Sequence, residues 1–167
     1  MMVAMKLRSS IAFHGSPDQV LGLLAEEGFR EQVARSAGAE TAEAQVRVAE
    51  DGGSVTVIES RQPTSGMPAL ATKFLGEHLA VRQEEHWTPD GRGTLSVTFP
   101  GQPGQVSGVL ALSEDGGRTV QSLEADIAVR IPLVGGKVEA LIGQMLEYVL
   151  GVQEQVGNRR LAGDPPR

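Results

Sequence analysis

Cysteine, basic clusters and long apolar runs are absent from the sequence. It contains no cysteine, which excludes disulfides, thiol nucleophiles and thiolate metal sites. It has no basic run and a formal net charge of −6, which argues against nucleic acid as a partner because phosphate binding needs clustered Lys and Arg. No stretch approaches the roughly 20 apolar residues of a membrane span, and the first ten residues lack the apolar core of a signal peptide. We therefore expect a cytoplasmic protein without a membrane span.

The length and the C-terminal composition indicate one domain. A chain of 167 residues is large enough to bury a core of its own, and no fixed-period repeat or low-complexity linker divides it. We predict a single domain over residues 5–161. The final stretch, Gly163-Asp164-Pro165-Pro166-Arg167, is rich in proline and glycine, so residues 162–167 are predicted to form a disordered tail.

The strongest pattern in the chain is that of a C-terminal helix. Between Gly135 and Gly157, apolar residues recur at spacings of three and four, which is the period of one helical face. The members of this apolar stripe are Val138, Leu141, Ile142, Met145, Val149, Val152 and Val156. At about 1.5 Å per residue the helix would be about 33 Å long. It must therefore lie along a surface of similar length to bury the stripe.

Two short helices are predicted after the first strand. Residues 5–13 alternate between apolar and polar, as a half-buried strand does. The segment Ser16-Pro17-Asp18 then combines an N-cap, a proline at the first helical position and an early acid, which predicts a helix that stops at Gly28. A second helix is predicted from Phe29 to Ala37.

Between residues 39 and 131 the pattern is that of antiparallel strands joined by turns. A two-residue turn at Gly116-Gly117 would place Leu110 opposite Leu123, so turn chemistry and hydrophobic register agree there. The same register places Val106 opposite Ile127. We predict about six strands in this part of the chain, followed by the long helix.

Two other turns carry specific predictions. A hairpin turn at Asp51-Gly52-Gly53 would align Val48 with Val55 or Val57. After the last strand, Pro132 is predicted to end the strand, and Gly135-Gly136 is predicted to permit the change of direction into the helix.

Three segments resemble those of a known bacterial family. They are Met5-Lys6-Leu7-Arg8, Gln83 with Glu85 and Trp87, and the run from Arg130 to Glu139, Arg-Ile-Pro-Leu-Val-Gly-Gly-Lys-Val-Glu. From about Met5 to Leu161 the chain is similar to a domain-of-unknown-function family in the START-like (SRPBCC) superfamily. The resemblance implies an α+β helix-grip fold, in which a curved antiparallel sheet of about seven strands wraps on a long C-terminal helix, with two short helices after strand 1. It also implies a hydrophobic cavity between sheet and helix, and it assigns no catalytic residue.

The residues predicted to bind a ligand lie on the inner face of the sheet or on the long helix. Strand alternation places the former inward, and Tyr148, which lies off the main apolar stripe, is a candidate hydroxyl donor. The predicted ligand-binding residues are Phe13, Leu79, Val81, Gln83, Glu85, Trp87, Val97, Phe99, Leu123, Ile127, Met145, Tyr148 and Val149.

Gln83 and Glu85 are the polar members of this set on the strand that ends at Trp87. A carboxylate in an apolar cavity is able to hold or protonate a ligand. The alternative is a structural role, because polar side chains near an open strand end often reach water. Trp87 is either a core residue or a wall for a ring-shaped ligand.

No metal or cofactor site is predicted. His78 and His86 share a strand face but are eight positions apart, about 27 Å along an extended strand, which is too far for two ligands of one metal ion. The Gly-rich turns lie between antiparallel strands rather than before a helix, so they are hairpin turns and not phosphate-binding loops. No Gly-x-Ser-x-Gly nucleophile motif occurs.

The connection from Gly66 to Leu75 has two interpretations. Its flexible glycine, its adaptable methionine at Met67 and the apolar Leu70 and Phe74 suit a lid over the cavity. The alternative is a loop that plugs one end of the core.

Three functional hypotheses follow from these features. The first is a protein that binds or carries an apolar or amphipathic small molecule of lipid, polyketide or isoprenoid type, with Gln83, Glu85 or Tyr148 fixing its orientation. The second is an enzyme of polyketide cyclase or dehydratase type that uses Glu85 as general acid or base. The third is an interaction module without a ligand, whose interior is filled by apolar side chains.

Overall fold

The computed structural model describes residues 4–163, except the side chains of Leu70, Ala71 and Phe74. Its elements are β1 (Met5–Phe13), α1 (Pro17–Leu24), α2 (Glu27–Ser36), β2 (Thr41–Val48), β3 (Ser54–Pro63), α3 (Ala69–Leu75), β4 (His78–Trp87), β5 (Arg92–Thr98), β6 (Gln105–Asp115), β7 (Arg118–Ala128) and α4 (Gly135–Leu161). Residues 164–167 of the predicted disordered tail lie outside the described residues. So do the side chains of Leu70 and Phe74 in the predicted lid.

The strands form one antiparallel sheet in the order β1-β7-β6-β5-β4-β3-β2. Apart from β1, each strand pairs with its neighbour in sequence, and the right-handed twist of such a meander curls it around a helix. The long helix α4 packs on β1 and β7, and α2 packs on α4. The predicted fold class, a curved seven-stranded sheet with two short helices after strand 1 and a long C-terminal helix, is confirmed.

The two hairpin predictions have opposite outcomes. Leu110 pairs with Leu123 as predicted, because the two-residue turn between β6 and β7 sets the register. The alignment of Val48 with Val55 or Val57 is wrong, since Val48 pairs with Ser54. The chain between β2 and β3 keeps five residues out of the ladder, closed by the hydrogen bond from Ala49 N–H to Gly53 C=O at 2.9 Å.

Side chains of α2 cover the open edge of the sheet at β2. Glu31 accepts a hydrogen bond from the N–H of Ala44 at 3.0 Å, and Arg35 donates one to the carbonyl of Ala42 at 3.0 Å. These two residues are four apart and therefore lie on one face of the helix. They satisfy strand groups that would otherwise be unpaired, and they fix α2 over this side of the sheet.

Side chains of α4 do the same at β1, the other edge. Glu154 accepts a hydrogen bond from the N–H of Ala12 at 2.8 Å, and Asn158 donates one to the carbonyl of Ala12 at 3.0 Å. Near the other end of α4, the buried Glu139 accepts a hydrogen bond from the N–H of Val129 at 2.8 Å. The helix is thus held by polar contacts at both ends.

The change of direction before α4 occurs at a different residue from the one predicted. Leu133 has a φ of 72° and is fully exposed, whereas Gly135 and Gly136 are the first residues of the helix. A left-handed conformation is unusual for a residue with a side chain. The change of direction therefore falls on Leu133, directly after Pro132, and not on the two glycines.

Candidate functional site

A cavity of about 650 Å³ lies between the sheet and the helices α2 and α4. Its sheet wall comes from β3, β4 and β5 and its other walls from the two helices and the connection before α3. Since α4 packs on β1 and β7, the cavity occupies the half of the sheet away from the strands that the helix contacts. A smaller cavity of about 260 Å³ shares Phe99, Met145 and Tyr148 with the larger one and is also lined by Leu75 of α3.

Two features of the sequence leave this space open. Several lining residues have a small side chain or none and fill little volume, namely Ala34, Ala37, Gly38 and Ser60. In α4, the buried residues lie at positions 135–143 and 153–157, and none of the residues 144–152, all of them described, is buried. The middle of the helix therefore spans the cavity between two packed ends.

Eight of the thirteen predicted ligand-binding residues line one or both cavities. Seven line the larger cavity, namely Val81, Gln83, Val97, Phe99, Met145, Tyr148 and Val149. Leu79 lines only the smaller one. Tyr148 is 59% exposed, so it lies at the mouth rather than in the interior.

The other five predicted residues do not line either cavity. Phe13, Leu123 and Ile127 belong to the solid core under α4, where Phe13 and Ile127 have no exposed surface. They face inward as predicted, but β1 and β7 contact the helix directly. Glu85 and Trp87 are buried behind the cavity wall.

Glu85 is the centre of a buried polar cluster. It is 4% exposed and forms an ion pair with Arg30, which is 2% exposed. The side-chain amide of Gln83 and the indole N–H of Trp87 also donate to it, the latter at 2.8 Å. Three donors therefore hold the carboxylate, and Trp87 serves as core and hydrogen-bond donor rather than as a wall of the cavity.

Arg30 is the site residue that the sequence analysis missed. It donates to the carbonyl of Leu24 at 3.5 Å as well as to Glu85, and it lines the cavity. The available signal was its position between Phe29 and Val33 on the apolar face of α2, where a charge is buried only if it is paired. Glu85, an acid on the inner face of β4, was the matching partner.

The mouth of the larger cavity lies between the end of α2, the connection before α3, and α4. The exposed lining residues are Gly38, Ser65, Gly66 and Tyr148. Thr64 fixes the base of the connection, because its hydroxyl donates to the carbonyl of Gly76. The segment thus borders the opening, as both a lid and a plug would.

The described part of the chain contains neither a metal-binding cluster nor a helix that could span a membrane. Within residues 4–163, no three His, Cys, Asp or Glu residues come together in a way that could hold a metal ion. His78 instead contacts Glu40 at 3.1 Å, and His86 contacts Asp51 at 3.0 Å, both at the surface. No described helix combines the length and apolarity needed to cross a membrane.

Solved structures with the same architecture define the structural class. A START superfamily protein from Mycobacterium smegmatis matches with a TM-score of 0.62 and 11% identity, over 93% of this chain and 98% of that chain. The di-domain ARO/CYC BexL from the BE-7585A biosynthetic pathway matches with a TM-score of 0.63 and 10% identity, over 93% of this chain and 50% of that chain. These likenesses establish a START-like fold.

The family follows from the sequence. Residues 8–161 match the model of the family described as protein of unknown function (DUF2505), and the chain belongs to that family. An uncharacterized protein of Mycobacterium tuberculosis (strain H37Rv) is 33% identical over 113 residues, which are 63% of this chain. The match spans 64% of the length of that curated relative.

Proposed function

We propose that the protein binds or carries a hydrophobic or amphipathic small molecule, of lipid, polyketide or isoprenoid type, in the larger cavity. The observation that carries the proposal is an open interior space of about 650 Å³. Small-molecule sites typically have volumes of about 300–1,000 Å³ and mostly apolar walls with a few placed polar groups. The removal of apolar ligand surface from water would drive binding.

The composition of the wall supports this proposal. Aliphatic and aromatic side chains from the sheet, such as Val97 and Phe99, face Ile142, Met145 and Val149 of α4 across the cavity. Methionine adapts its shape to different apolar surfaces. An interaction module with a filled core would not retain such a space, so the open volume favours a ligand-binding function.

The surroundings of Glu85 favour binding over acid–base catalysis by this residue. A general acid or base must come within hydrogen-bond distance of the reacting proton. Glu85 does not line the cavity, and its oxygens already accept hydrogen bonds from Arg30, Gln83 and Trp87. Its role in this proposal is to hold Arg30 and Gln83 in place.

Filling the cavity tests the proposed function. Val149→Phe adds a ring to the cavity wall, whereas Gln155→Phe adds the same group to an exposed position of α4 that lines neither cavity. We expect Val149→Phe to weaken binding of the neutral dye Nile red about tenfold or more, a change of about 1.4 kcal/mol. Gln155→Phe should bind as the unmodified protein does.

Two results would contradict the proposed function. One is the absence of Nile red binding to the unmodified protein, and the other is equal dye binding by both variants, which would place the dye outside the cavity. Native mass spectrometry of protein purified from its own host would complement this test, because a copurified small molecule would identify the ligand directly.

A further inference from the structure

The polar part of the cavity wall determines which ligands fit. We infer that the ligand is uncharged and carries a hydroxyl or carbonyl group, and that this group docks against Arg30 and Gln83. The inference rests on the proposed binding function and names the class of ligand. It follows from the charges, the unused hydrogen-bonding groups and the position of the cluster relative to the mouth.

The charges around the cavity cancel. Among the described residues that line it, Arg30 alone is charged, and Glu85 directly behind it supplies the opposite charge. A carboxylate or phosphate ligand would bring a second anion to a cation that already has its partner. A cationic ligand would meet Arg30 without any free acid on the wall. Either charged group would lose its hydration without gaining a counter-ion, which disfavours both classes.

Arg30 retains hydrogen-bond donors for a ligand. A guanidinium carries five N–H groups, and the bonds of Arg30 to Glu85 and to the carbonyl of Leu24 account for two of them. Glu85 holds the group at the wall, so the donors are positioned before any ligand binds. A carbonyl or hydroxyl oxygen is the complementary acceptor.

Gln83 contributes an acceptor beside these donors. An ionised carboxylate accepts hydrogen bonds and donates none, so Glu85 requires the amide NH₂ of Gln83 to face it. The carbonyl oxygen of Gln83 is therefore directed away from Glu85, and Gln83 lines the cavity. A hydroxyl would accept from Arg30 and donate to Gln83, while a carbonyl would use Arg30 alone.

Thr56 adds an unpaired hydroxyl to the same cluster. Thr56 pairs with Glu85 across β3 and β4, and its side chain is therefore on the same face. It is 1% exposed, and among the buried side-chain atoms of the described residues its Oγ1 alone has no hydrogen-bond partner. Burial of an unpaired hydroxyl is costly. The cluster therefore has hydrogen-bonding capacity that the protein itself does not use, although Thr56 lines neither cavity and lies behind the wall.

The position of the cluster sets the orientation of the ligand. Arg30 is buried, whereas the exposed lining residues Gly38, Gly66 and Tyr148 mark the mouth. The rest of the wall is mostly apolar, with residues such as Val81 and Met145, although Ser60, Gln62 and Gln153 also line it. The polar group would therefore enter first, and the apolar body would extend towards the mouth.

A matched set of probes tests the inference on the unmodified protein. 1-Dodecanol, 2-dodecanone and dodecanoate share a chain length and differ in the polar group, and each is titrated at neutral pH by displacement of Nile red. We expect the alcohol and the ketone to bind about tenfold or more tightly than dodecanoate, because a buried anion without its own counter-ion is disfavoured. The fluorescence of Trp87, the only tryptophan, should change on binding because its N–H donates to Glu85.

The outcomes separate the inference from the proposed function. If dodecanoate binds as tightly as the alcohol or more tightly, the inference is overturned and the binding function stands. If neither Nile red nor any probe binds, the binding function fails and the inference with it.

Two variants extend the test to the residues themselves. Glu85→Gln leaves Arg30 without its counter-ion, so the preference should shift towards dodecanoate. The double variant Arg30→Met, Glu85→Met removes both charges, and such replacements often preserve folding; it should bind dodecanol less tightly without gaining affinity for dodecanoate. An affinity for dodecanol in the double variant equal to that of the unmodified protein would overturn the assignment of Arg30. If Glu85→Gln does not fold, the probe series and the double variant still decide the question.

Discussion

The two ends of α4 are tightly packed, whereas its middle is not. A Cβ atom at Gly157 would lie 2.6 Å from Cε1 of Phe13, closer than such atoms approach in proteins. At Gly151, six residues earlier, a Cβ atom would meet nothing within 4 Å apart from its chain neighbours and the backbone of its own helix. Val156 is 1% exposed, and Tyr148 is 59% exposed. One helix thus combines a close contact with the sheet and an open stretch over the cavity.

The polar residues of the helix follow the same division. Glu139 and Glu154 accept backbone hydrogen bonds near the two ends, whereas Gln144 and Glu147 in the middle are exposed. Protein interiors normally close around empty space to recover packing contacts. Contacts that hold both ends of α4 oppose such a collapse, and the comparison therefore explains how a cavity persists beneath a helix.

Removing a polar contact at the N-terminal end of α4 should cause the largest loss of stability. Glu139→Ala leaves the N–H of Val129 buried without its acceptor, and hydrogen bonds to charged groups contribute about 1.5–3 kcal/mol. We expect a loss of that size in the free energy of unfolding, measured by urea denaturation with the fluorescence of Trp87 as the signal.

The control for this experiment is the same substitution in the middle of the helix. Glu147 is exposed and lines neither cavity, so Glu147→Ala should change the free energy of unfolding by less than about 0.5 kcal/mol. Equal losses in the two variants would remove the distinction between the ends and the middle of α4.

Adding a methyl group near the C-terminal end of α4 should cause the next largest loss of stability. Gly157→Ala places its Cβ against the ring of Phe13, which is completely buried and has little room to move. Overpacking of this kind costs about 1–3 kcal/mol, and we expect the free energy of unfolding, measured by urea denaturation, to fall by that amount. A variant as stable as the unmodified protein would mean that α4 can shift away from β1, against the idea of a fixed end.

The sequence was sufficient to predict the fold because periodicity and turns report it directly. The apolar stripe from Val138 to Val156 predicted α4, and the turn at Gly116-Gly117 fixed the pairing of Leu110 with Leu123, as the structure has it. Both signals are local in sequence, and each depends on geometry that a few neighbouring residues impose.

The site was predicted less completely because periodicity does not distinguish a packed face from a cavity wall. Val149 and Val156 belong to the same stripe, yet one lines the cavity and the other is buried in the core. Phe13 and Val97 likewise both point inward from strands, but only Val97 lies where the sheet departs from α4. Which half of the sheet the helix contacts is a long-range property, and so is the pairing of Arg30 with Glu85, 55 residues apart.

The smallest expected effect is a gain in stability, from a substitution in the middle of α4. Gly151 is inside a helix, where glycine costs about 0.5–1 kcal/mol relative to alanine because it loses more backbone freedom on folding. Apart from its chain neighbours and its own helix backbone, the added methyl group meets no atom within 4 Å, so Gly151→Ala should raise the free energy of unfolding by about that amount. Residue 151 lines neither cavity, so Nile red affinity should remain unchanged. A loss of stability here, comparable to that of Gly157→Ala, would show that the middle of α4 is packed as closely as its ends.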